Sequence, residues 1–167
     1  MKQAKAIRGF GLLFLLVFID QLTKQLAKYF LADTDGFSVI PGVFSFQYLE
    51  NRGAAFGMLQ NKTVFLTLLT FIIMILIGYI YIKLPDTKHY MPMQYTLILI
   101  VSGAVGNFID RIVNHYVIDF FYFELINFPI FNVADCYVTV SAILLFFLCL
   151  FYYKEEDFAC LSNKKGE

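Results

Sequence analysis

The chain has 167 residues, of which 59% are apolar and 16% charged, whereas an average soluble domain is about 45–50% apolar and about 25% charged. This excess of apolar side chains excludes an ordinary soluble domain and indicates a protein that lies in a lipid bilayer. The formal net charge is zero, so nothing in the charge balance favours nucleic acid as a partner. The three cysteines are odd in number and lack the CxxC or histidine pairing of a zinc site, and we interpret them as small apolar residues.

The first predicted transmembrane span covers about residues 9–28, and it is apolar up to Asp20. A basic start followed by a short apolar stretch is also typical of a cleavable signal peptide, and that alternative stays open. However, Asp20, Lys24 and Lys28 recur every four residues, which places an acid and two bases on one helical face in the favourable order. A retained helix explains this stripe better, with Asp20 pointing into the bundle and both lysine stems reaching the interface.

The segment that follows, about residues 29–62, is predicted to lie outside the membrane. Residues 43–48 alternate between apolar and polar side chains after a Pro-Gly pair, which favours a short strand on the membrane surface. The stretch Asn51–Gly57 is rich in glycine and alanine. Such a stretch either allows close approach of another chain or forms an ordinary turn, and the spacing favours neither.

Three further apolar runs predict the remaining spans, at about residues 63–82, 93–113 and 132–153. Each is long enough to cross most of a hydrocarbon core about 30 Å thick. A second outer segment, about residues 112–131, joins the last two spans. The predicted fold is therefore an α-helical membrane protein, a single membrane domain over residues 1–167, with four transmembrane helices and a small extracytoplasmic β-sheet on the outer membrane surface.

Basic residues predict the orientation, because Lys and Arg are enriched in short cytoplasmic segments. Eight of them lie before the first span, between the second and third, and after the fourth: Lys2, Lys5, Arg8, Lys83, Lys88, Lys154, Lys164 and Lys165. Both termini are therefore predicted to be cytoplasmic in a multi-pass membrane protein. The two long segments, with the polar candidates for chemistry, then lie at the outer face.

Four carboxylates lie in or beside the spans, where ionisable groups are functional candidates by default: Asp20, Asp110, Asp119 and Asp135. The last two spans run antiparallel, so their outer ends can be neighbours, and the apolar surroundings of Asp119 press it against the interface. Asp119 and Asp135 can then converge. Two carboxylates held close in an apolar site share one proton near neutral pH. One then acts as a base toward water and the other as an acid toward a peptide carbonyl.

Other hydrolytic machinery does not assemble from these residues. His89 and His115 fall on opposite sides of the membrane, which excludes a serine triad or a paired-histidine zinc site. Cys136 lacks a histidine partner and points to a different helical face from Asp135. We therefore predict a reaction that uses no metal and no cofactor.

Four sequence blocks occur in order along nearly the whole chain: Asp20-Gln21-Leu22-Thr23-Lys24; Asn51-Arg52-Gly53-Ala54-Ala55-Phe56-Gly57; Gly106-Asn107-Phe108-Ile109-Asp110-Arg111 with Val117-Ile118-Asp119-Phe120; and Phe131-Asn132-Val133-Ala134-Asp135. Together they resemble the bacterial lipoprotein signal peptidase (signal peptidase II) family. The resemblance implies an aspartyl endopeptidase of the bacterial inner membrane whose catalytic dyad is Asp119 and Asp135. It implies substrate-binding or supporting roles for ten further residues: Asp20, Lys24, Asn51, Arg52, Gly53, Asn107, Asp110, Arg111, Asn132 and Ala134.

The same resemblance implies what the enzyme acts on. Its substrates are expected to be prolipoproteins whose cysteine already carries a diacylglyceryl group, with cleavage just before that cysteine. Lipid tails and signal helix hold the scissile bond at the outer interface, because enzyme and substrate share the bilayer. The expected partners are these precursors and membrane lipids. Nothing in the sequence requires more than one chain, so we expect a monomer.

Some readings stay open. Asp110 is favoured as a structural residue that bonds backbone or Arg52, rather than as a catalytic one. Asp20 with Lys24 is either a structural ion pair or part of the site, and Arg111 is either a partner of carboxylate or lipid phosphate or a snorkelling anchor. For the whole chain, the alternatives are a small proton- or cation-coupled transporter subunit and a non-catalytic membrane assembly factor. Against a transporter, the ionisable residues crowd one interface rather than the midplane.

Overall fold

The computed structural model describes residues 2–53, 59 and 62–161. All four predicted helices are present, and each is long and apolar enough to cross a membrane. They are α1 (Lys2–Leu31), α2 (Thr63–Lys83), α3 (Met91–Val113) and α4 (Val133–Phe147), the last extended by a π-helical turn (Leu148–Tyr152). The predicted fold class, a four-helix membrane protein with a small sheet, is confirmed.

The helices expose apolar side chains that a soluble protein would bury. Phe14 in α1, Val64 in α2 and Phe146 in α4 expose 73%, 74% and 61% of their surface. Such side chains face lipid, while the helix satisfies its backbone N–H and C=O groups within the segment. Among the described residues, burial is therefore concentrated where helices meet one another and at the two ends of the bundle.

The central helix is α3, which packs against α1, α2 and α4. Two glycines permit this approach. A Cβ atom at Gly103 would lie 2.5 Å from the carbonyl oxygen of Ala134 in α4, and one at Gly106 would collide with the carboxylate of Asp20 in α1. Small residues at these positions therefore bring three helices into close contact at one level.

A three-stranded antiparallel sheet covers the end of the bundle where α1 and α3 finish and α2 and α4 begin, which we call the sheet end. Its strands, in spatial order, are β1 (Phe37–Ile40), β2 (Phe44–Asn51) and β3 (Val117–Phe123). The alternating pattern at 43–48 predicted only the first part of β2. A register shift between Phe46 and Leu49 places Leu49 opposite Asp119, so Asp119 lies in a paired strand.

The sheet packs on the helix ends through an apolar cluster. Ala27 and Leu31 of α1 contact Ile118 and Phe120 of β3, and none of the four is more than 6% exposed. Partly buried rings, including Phe46 of β2, surround this cluster. Ile118 and Phe120, the two neighbours of Asp119 in the chain, are both anchored in this cluster. The cluster therefore sets the height of the Asp119 carboxylate above the bundle.

At the opposite end, charged side chains join the helix ends. The ammonium of Lys5 donates to the carbonyl oxygens of Tyr81 and Leu84, where α2 ends. Arg8 pairs with Asp86 at 2.8 Å. These partners explain why α1 begins at Lys2 and not near residue 9: the basic flank of the predicted span is itself helical and bonded to its neighbour.

Candidate active site

Asp20, Asp110, Asp119 and Asp135 lie together at the sheet end, where α1, α3, α4 and β3 meet. Asp20, Lys24, Asp110 and Asp119 are each at most 1% exposed, and Asp135 is partly buried. An isolated buried charge costs several kcal/mol, so each of these groups needs partners. In the described part of the chain, every buried side-chain nitrogen and oxygen has one.

Lys24 is the cation at the centre of this cluster. Its Nζ lies 2.9 Å from Asp20 Oδ2 and 3.0 Å from Asp110 Oδ2, and it donates to Asn107 Oδ1 at 2.8 Å. The prediction that this lysine reaches the interface is wrong, because three acceptors hold its ammonium inside the bundle. Lys28, one turn further, is exposed.

The two carboxylates beside Lys24 also bond the backbone of other elements. Asp20 Oδ1 accepts from the backbone N–H of Ala134 at 2.9 Å, in the first turn of α4, where a helix favours negative charge. Asp110 Oδ2 accepts from the N–H of Ile118 at 3.1 Å. Gln21 donates to Asp110 Oδ1 at 3.0 Å and lies 3.2 Å from Asp20 Oδ2. These carboxylates therefore tie α1 to α4 and α3 to β3.

Asp119 and Asp135 are held by the amides of three asparagines and one backbone N–H. Asp119 Oδ1 accepts from Asn132 Nδ2 at 2.6 Å, and its Oδ2 from Asn51 Nδ2 at 2.9 Å. Asp135 Oδ1 accepts from Asn107 Nδ2 at 2.8 Å, and its Oδ2 from the backbone N–H of Asn132 at 3.1 Å. Each of the four carboxylate oxygens thus accepts one N–H, and Asn132 donates to both carboxylates.

The first turn of α4 explains how Asn132 comes to lie between the two carboxylates. Asn132 is the N-cap of α4, and its Oδ1 accepts from the backbone N–H of Asp135 at 3.0 Å while Asp135 bonds back to the N–H of Asn132. This reciprocal pair is a capping box. Because an amide oxygen faces one way and its NH₂ the other, the cap turns Nδ2 of Asn132 toward Asp119.

Burial and a neighbouring charge set the proton affinity of Asp119. Burial, and secondly the carboxylate of Asp135, raise the pKa of Asp119 from 3.8 to about 7. Hydrogen bonds from Asn51 and Asn132 oppose this rise in the pKa of Asp119, because they stabilise the ionised form. Near neutral pH, therefore, Asp119 populates both its protonated and its ionised form.

Arg111 lies beside the pair. Its guanidinium is 3.4 Å from the carbonyl oxygen of Gly53 and 3.5 Å from that of Asn107, and its charge interacts with Asp135 and Asp119. Its hydrogen-bond contacts are to backbone carbonyl oxygens, and among the described residues its charge acts on the two carboxylates without a direct ion pair, so its interpretation as a carboxylate partner stays a prediction. An arginine placed between a backbone carbonyl of the outer segment and two carboxylates can also bind an anionic or carbonyl group that enters the site.

Arg52 lies further out. It is exposed, 3.5 Å from Glu50 and 5.9 Å from the ring of Tyr116, and so it is not the partner of Asp110 that the sequence suggested. The backbone partner suggested for Asp110 is present. The rest of the glycine- and alanine-rich stretch, residues 54–57, lies outside the described residues.

Comparison with known proteins places the chain in a family. Residues 12–151 match the family model of signal peptidase (SPase) II. The chain belongs to the signal peptidase II family. It is 48% identical over 136 residues to the lipoprotein signal peptidase of Caldanaerobacter subterraneus subsp. tengcongensis, covering 81% of this chain and 90% of the relative. It is 44% identical over 147 residues to the lipoprotein signal peptidase of Streptococcus pyogenes serotype M1, covering 87% and 93%.

Two solved structures of bacterial membrane enzymes share the fold of this chain. A bacterial membrane enzyme determined by the in meso method at 2.3 Å resolution superposes with a TM-score of 0.78 and 33% identity, covering 96% of this chain and 94% of that one. A second, at 1.9 Å resolution, gives a TM-score of 0.76 and 34% identity, over 87% and 94%. The protein is thus an aspartic-type peptidase of lipoprotein processing, which leaves the transporter and assembly-factor readings without support.

Two residues of this signal peptidase II site were absent from the predicted set. Gln21 bridges Asp20 and Asp110, and Gly106 leaves room for the Asp20 carboxylate. Both stand in the sequence blocks that carried the resemblance. The spacing Ser102-x-x-x-Gly106 is a small-residue signal for close helix packing and could have indicated the second. Nothing local distinguishes Gln21 from an interfacial glutamine.

The other candidates for chemistry lie apart. His89 is at the opposite end, 2.9 Å from Asp157. His115 is exposed at the sheet end in a left-handed conformation (φ 65°), where its carbonyl oxygen lies 3.4 Å from the hydroxyl of Thr63. Among the described residues, no three His, Cys, Asp or Glu side chains are arranged to hold a metal ion.

Proposed function

We propose that Asp119 and Asp135 form the catalytic dyad of a membrane endopeptidase that cleaves diacylglyceryl-modified prolipoproteins just before the lipidated cysteine. One observation carries this proposal: Asn132 donates hydrogen bonds to both carboxylates, which keeps two acids together in a mostly buried site. The other two buried acids are committed to Lys24, whereas these two face amide donors.

The dyad divides the work according to proton affinity. Asp119 carries the shared proton near neutral pH, because its pKa is raised to about 7. Asp135, ionised, takes a proton from a water molecule, whose oxygen attacks the scissile carbonyl carbon while Asp119 donates its proton to the carbonyl oxygen. The tetrahedral intermediate then collapses: its hydroxyl returns a proton to Asp119, the C–N bond breaks, and Asp135 passes its proton to the leaving amine nitrogen. Both carboxyls end as they began.

Substrate orientation comes from the bilayer. The diacylglyceryl tails and the apolar signal helix of a precursor both lie in lipid, so the bond between them is confined to the interface level at which α3 ends and α4 begins. Because the precursor is already confined to this level, less translational and rotational entropy is lost when it binds the enzyme. The position of Arg111, beside the carbonyl oxygen of Gly53, supports a role for its guanidinium in holding the extended peptide.

The proposed orientation puts both termini in the cytoplasm and the sheet end at the outer face of the inner membrane, with the protein acting as a monomer. Lys83, Lys88 and Lys154 at the opposite end support it; Lys164, Lys165 and the side chain of Lys2 lie outside the described part. A membrane-impermeant thiol reagent should label Asp35→Cys in intact spheroplasts and Lys88→Cys only after lysis, above the background of the native cysteines. The reverse pattern would overturn the orientation.

The decisive experiment is cleavage of a diacylglyceryl-modified precursor peptide by purified protein in detergent. Wild type should cleave it without added metal, and should leave the same peptide with an unmodified cysteine largely intact. Asp119→Asn and Asp135→Asn should each lower turnover by about 10²–10⁴-fold, the usual worth of a general acid or base. Asp33→Asn, at an exposed acid near the same end, is the matched control and should retain turnover. If both dyad variants stay folded and cleave at the wild-type rate, the assignment is wrong.

A further inference from the structure

We infer that Lys24 is a positioning residue for the reaction: by binding the oxygen of the Asn107 side chain, it turns the NH₂ of that amide toward Asp135. The inference rests on the proposed function, in which Asp135 is the base. It assigns a buried cation a task beyond neutralising two carboxylates, although the cation itself bonds to neither member of the dyad.

The ammonium of Lys24 is saturated. It has three N–H donors, and its three acceptors at hydrogen-bonding distance are Asp20 Oδ2, Asp110 Oδ2 and Asn107 Oδ1, at 2.9, 3.0 and 2.8 Å. Two of these acceptors are symmetric carboxylates that offer oxygen whichever way they face. The third is an amide, which has an oxygen on one side only. The cation therefore constrains the rotation of Asn107 in a way that it does not constrain the acids.

The constraint on Asn107 reaches Asp135 directly. An ammonium donates and never accepts, so only Oδ1 of Asn107 can face Lys24, and Nδ2 must face the other way. There it donates to Asp135 Oδ1 at 2.8 Å. Asn132 Nδ2 also approaches Asn107 Oδ1, at 3.2 Å, but its shorter bond of 2.6 Å goes to Asp119. Lys24 is thus the stronger of the two donors that orient this amide.

An amide turned the other way would act against the reaction. Oδ1 of Asn107 would then face Asp135 Oδ1, and two oxygens in contact favour the protonated acid over the ionised base. The other charged and titratable groups around Asp135 belong to every element that packs there, namely Asp119 of β3, Arg111 and Asp110 of α3, Lys24 and Asp20 of α1, and Cys136 of α4 itself. Of the described donors to Asp135, the Asn107 amide can reverse its polarity by rotating, whereas the backbone N–H of Asn132 cannot.

The charge of Lys24 also acts on the dyad through space, and a double-mutant cycle separates the two routes. The measurement is kcat for cleavage of the modified precursor peptide as a function of pH, and the readout is the midpoint of the acid limb of that profile. Thermal melts show how much of each variant is folded. Asn107→Leu removes the amide and leaves Lys24 with its two carboxylates. Lys24→Met removes the cation. Lys28→Met removes an equal charge from an exposed position one turn away and serves as the matched control.

Asn107→Leu and Lys24→Met should each move the acid limb to higher pH by about one unit, the equivalent of one hydrogen bond to a charged group. Lys24→Met should move the limb clearly less in the Asn107→Leu background than in wild type, because the cation then has no amide to orient and acts only through space. Lys28→Met should match wild type. An equal shift from Lys24→Met in both backgrounds would mean that the charge acts directly. A wild-type limb in Asn107→Leu, or in a folded Lys24→Met, would end the proposal.

Lys24→Met leaves two buried carboxylates without their cation and can fail to fold. Lys24→Met combined with Asp20→Asn removes one charge of each sign, and the new amide oxygen can still accept from the N–H of Ala134. If neither chain folds, the cation is structural and the proposal fails. Failure of the proposed function is a separate result, since wild type itself would then leave the precursor intact.

Discussion

The two ends of the helix bundle both use charged side chains to join helices, but with opposite balances of charge. At the opposite end, Lys5 bonds carbonyl oxygens and Arg8 pairs with one carboxylate, so cations outnumber the acids they meet. At the sheet end, Lys24 shares a buried space with two carboxylates, and two more lie beyond it. Anchoring needs only satisfied charges. Chemistry needs carboxylates that are held out of water and outnumber their cations, and among the described residues it is the sheet end that provides them.

The largest expected effect tests whether Asp110 belongs to the anchoring part of the sheet end. Asp110→Asn leaves Lys24 without one of its two buried carboxylates, and breaking a buried pair costs about 3–5 kcal/mol. The melting temperature should fall markedly, while turnover per folded molecule falls less. A wild-type melt together with abolished turnover would instead make Asp110 the partner of Asp135.

The pH dependence of stability should separate Asp119 from the anchoring acids. Its pKa in the fold, raised from 3.8 to about 7, means that ionisation is harder in the folded than in the unfolded chain. The stability that Asp119 contributes is therefore full below pH 4 and is lost as pH rises to about 7, a change of about 4 kcal/mol at 1.36 kcal/mol per pKa unit. Asp119→Asn lacks this loss.

The measurement is the difference in melting temperature between Asp119→Asn and wild type. The melting temperature of Asp119→Asn should rise relative to that of wild type between pH 4 and 7, and the difference should stay constant above pH 7. A hydrogen bond that the variant loses at every pH lowers its melting temperature by a constant amount, so it does not contribute to the change of the difference with pH. A difference that stays constant from pH 4 to 8 would show that Asp119 titrates like an exposed acid.

The close approach of α3 to α1 at the sheet end is tested by a single methyl group. Gly106→Ala drives a Cβ into the buried carboxylate of Asp20, and overpacking of this kind costs about 1–3 kcal/mol. Gly78→Ala in α2, where an added Cβ meets nothing within 4 Å, is the matched control and should melt no lower than wild type. Equal melting temperatures for the two variants would mean that α1 and α3 can move apart at little cost, and that Gly106 is not needed for their close approach.

The smallest effect is expected at the opposite end. Lys5→Met loses two hydrogen bonds to carbonyl oxygens at the end of α2, which should lower stability by about 1 kcal/mol. Turnover per folded molecule should not change, because no bond links Lys5 to the dyad. A fall in turnover with an unchanged melt would erase the distinction between the two ends.

The spans were predictable because lipid imposes one rule on the whole length of each helix. Long apolar runs such as residues 63–82 satisfy it without reference to any other part of the chain. The strands were harder: β3 (Val117–Phe123) is apolar on both faces for most of its length, so it lacks the alternation that indicated part of β2. Pairing with β2, which is distant in sequence, makes it a strand.

The site residues were named from a resemblance, but their roles were not readable from spacing. Lys24 stands in a stripe that fits a surface helix equally well, and its burial depends on Asp110, which is remote in sequence. The orientation of the Asn107 and Asn132 amides likewise depends on donors from other elements. A local sequence pattern shows which residue types are present. Which atom of each side chain faces which partner depends on the packing of elements that are distant in sequence.

Asn132 begins α4 and at the same time bonds both carboxylates of the proposed dyad, so helix initiation and the geometry of that dyad depend on a single turn. Fraying of that turn would release Asp135 and remove a donor from Asp119 while most of the four-helix scaffold remained intact. Heat should therefore inactivate the enzyme reversibly at a temperature below its global unfolding, with the helical circular dichroism signal still unchanged.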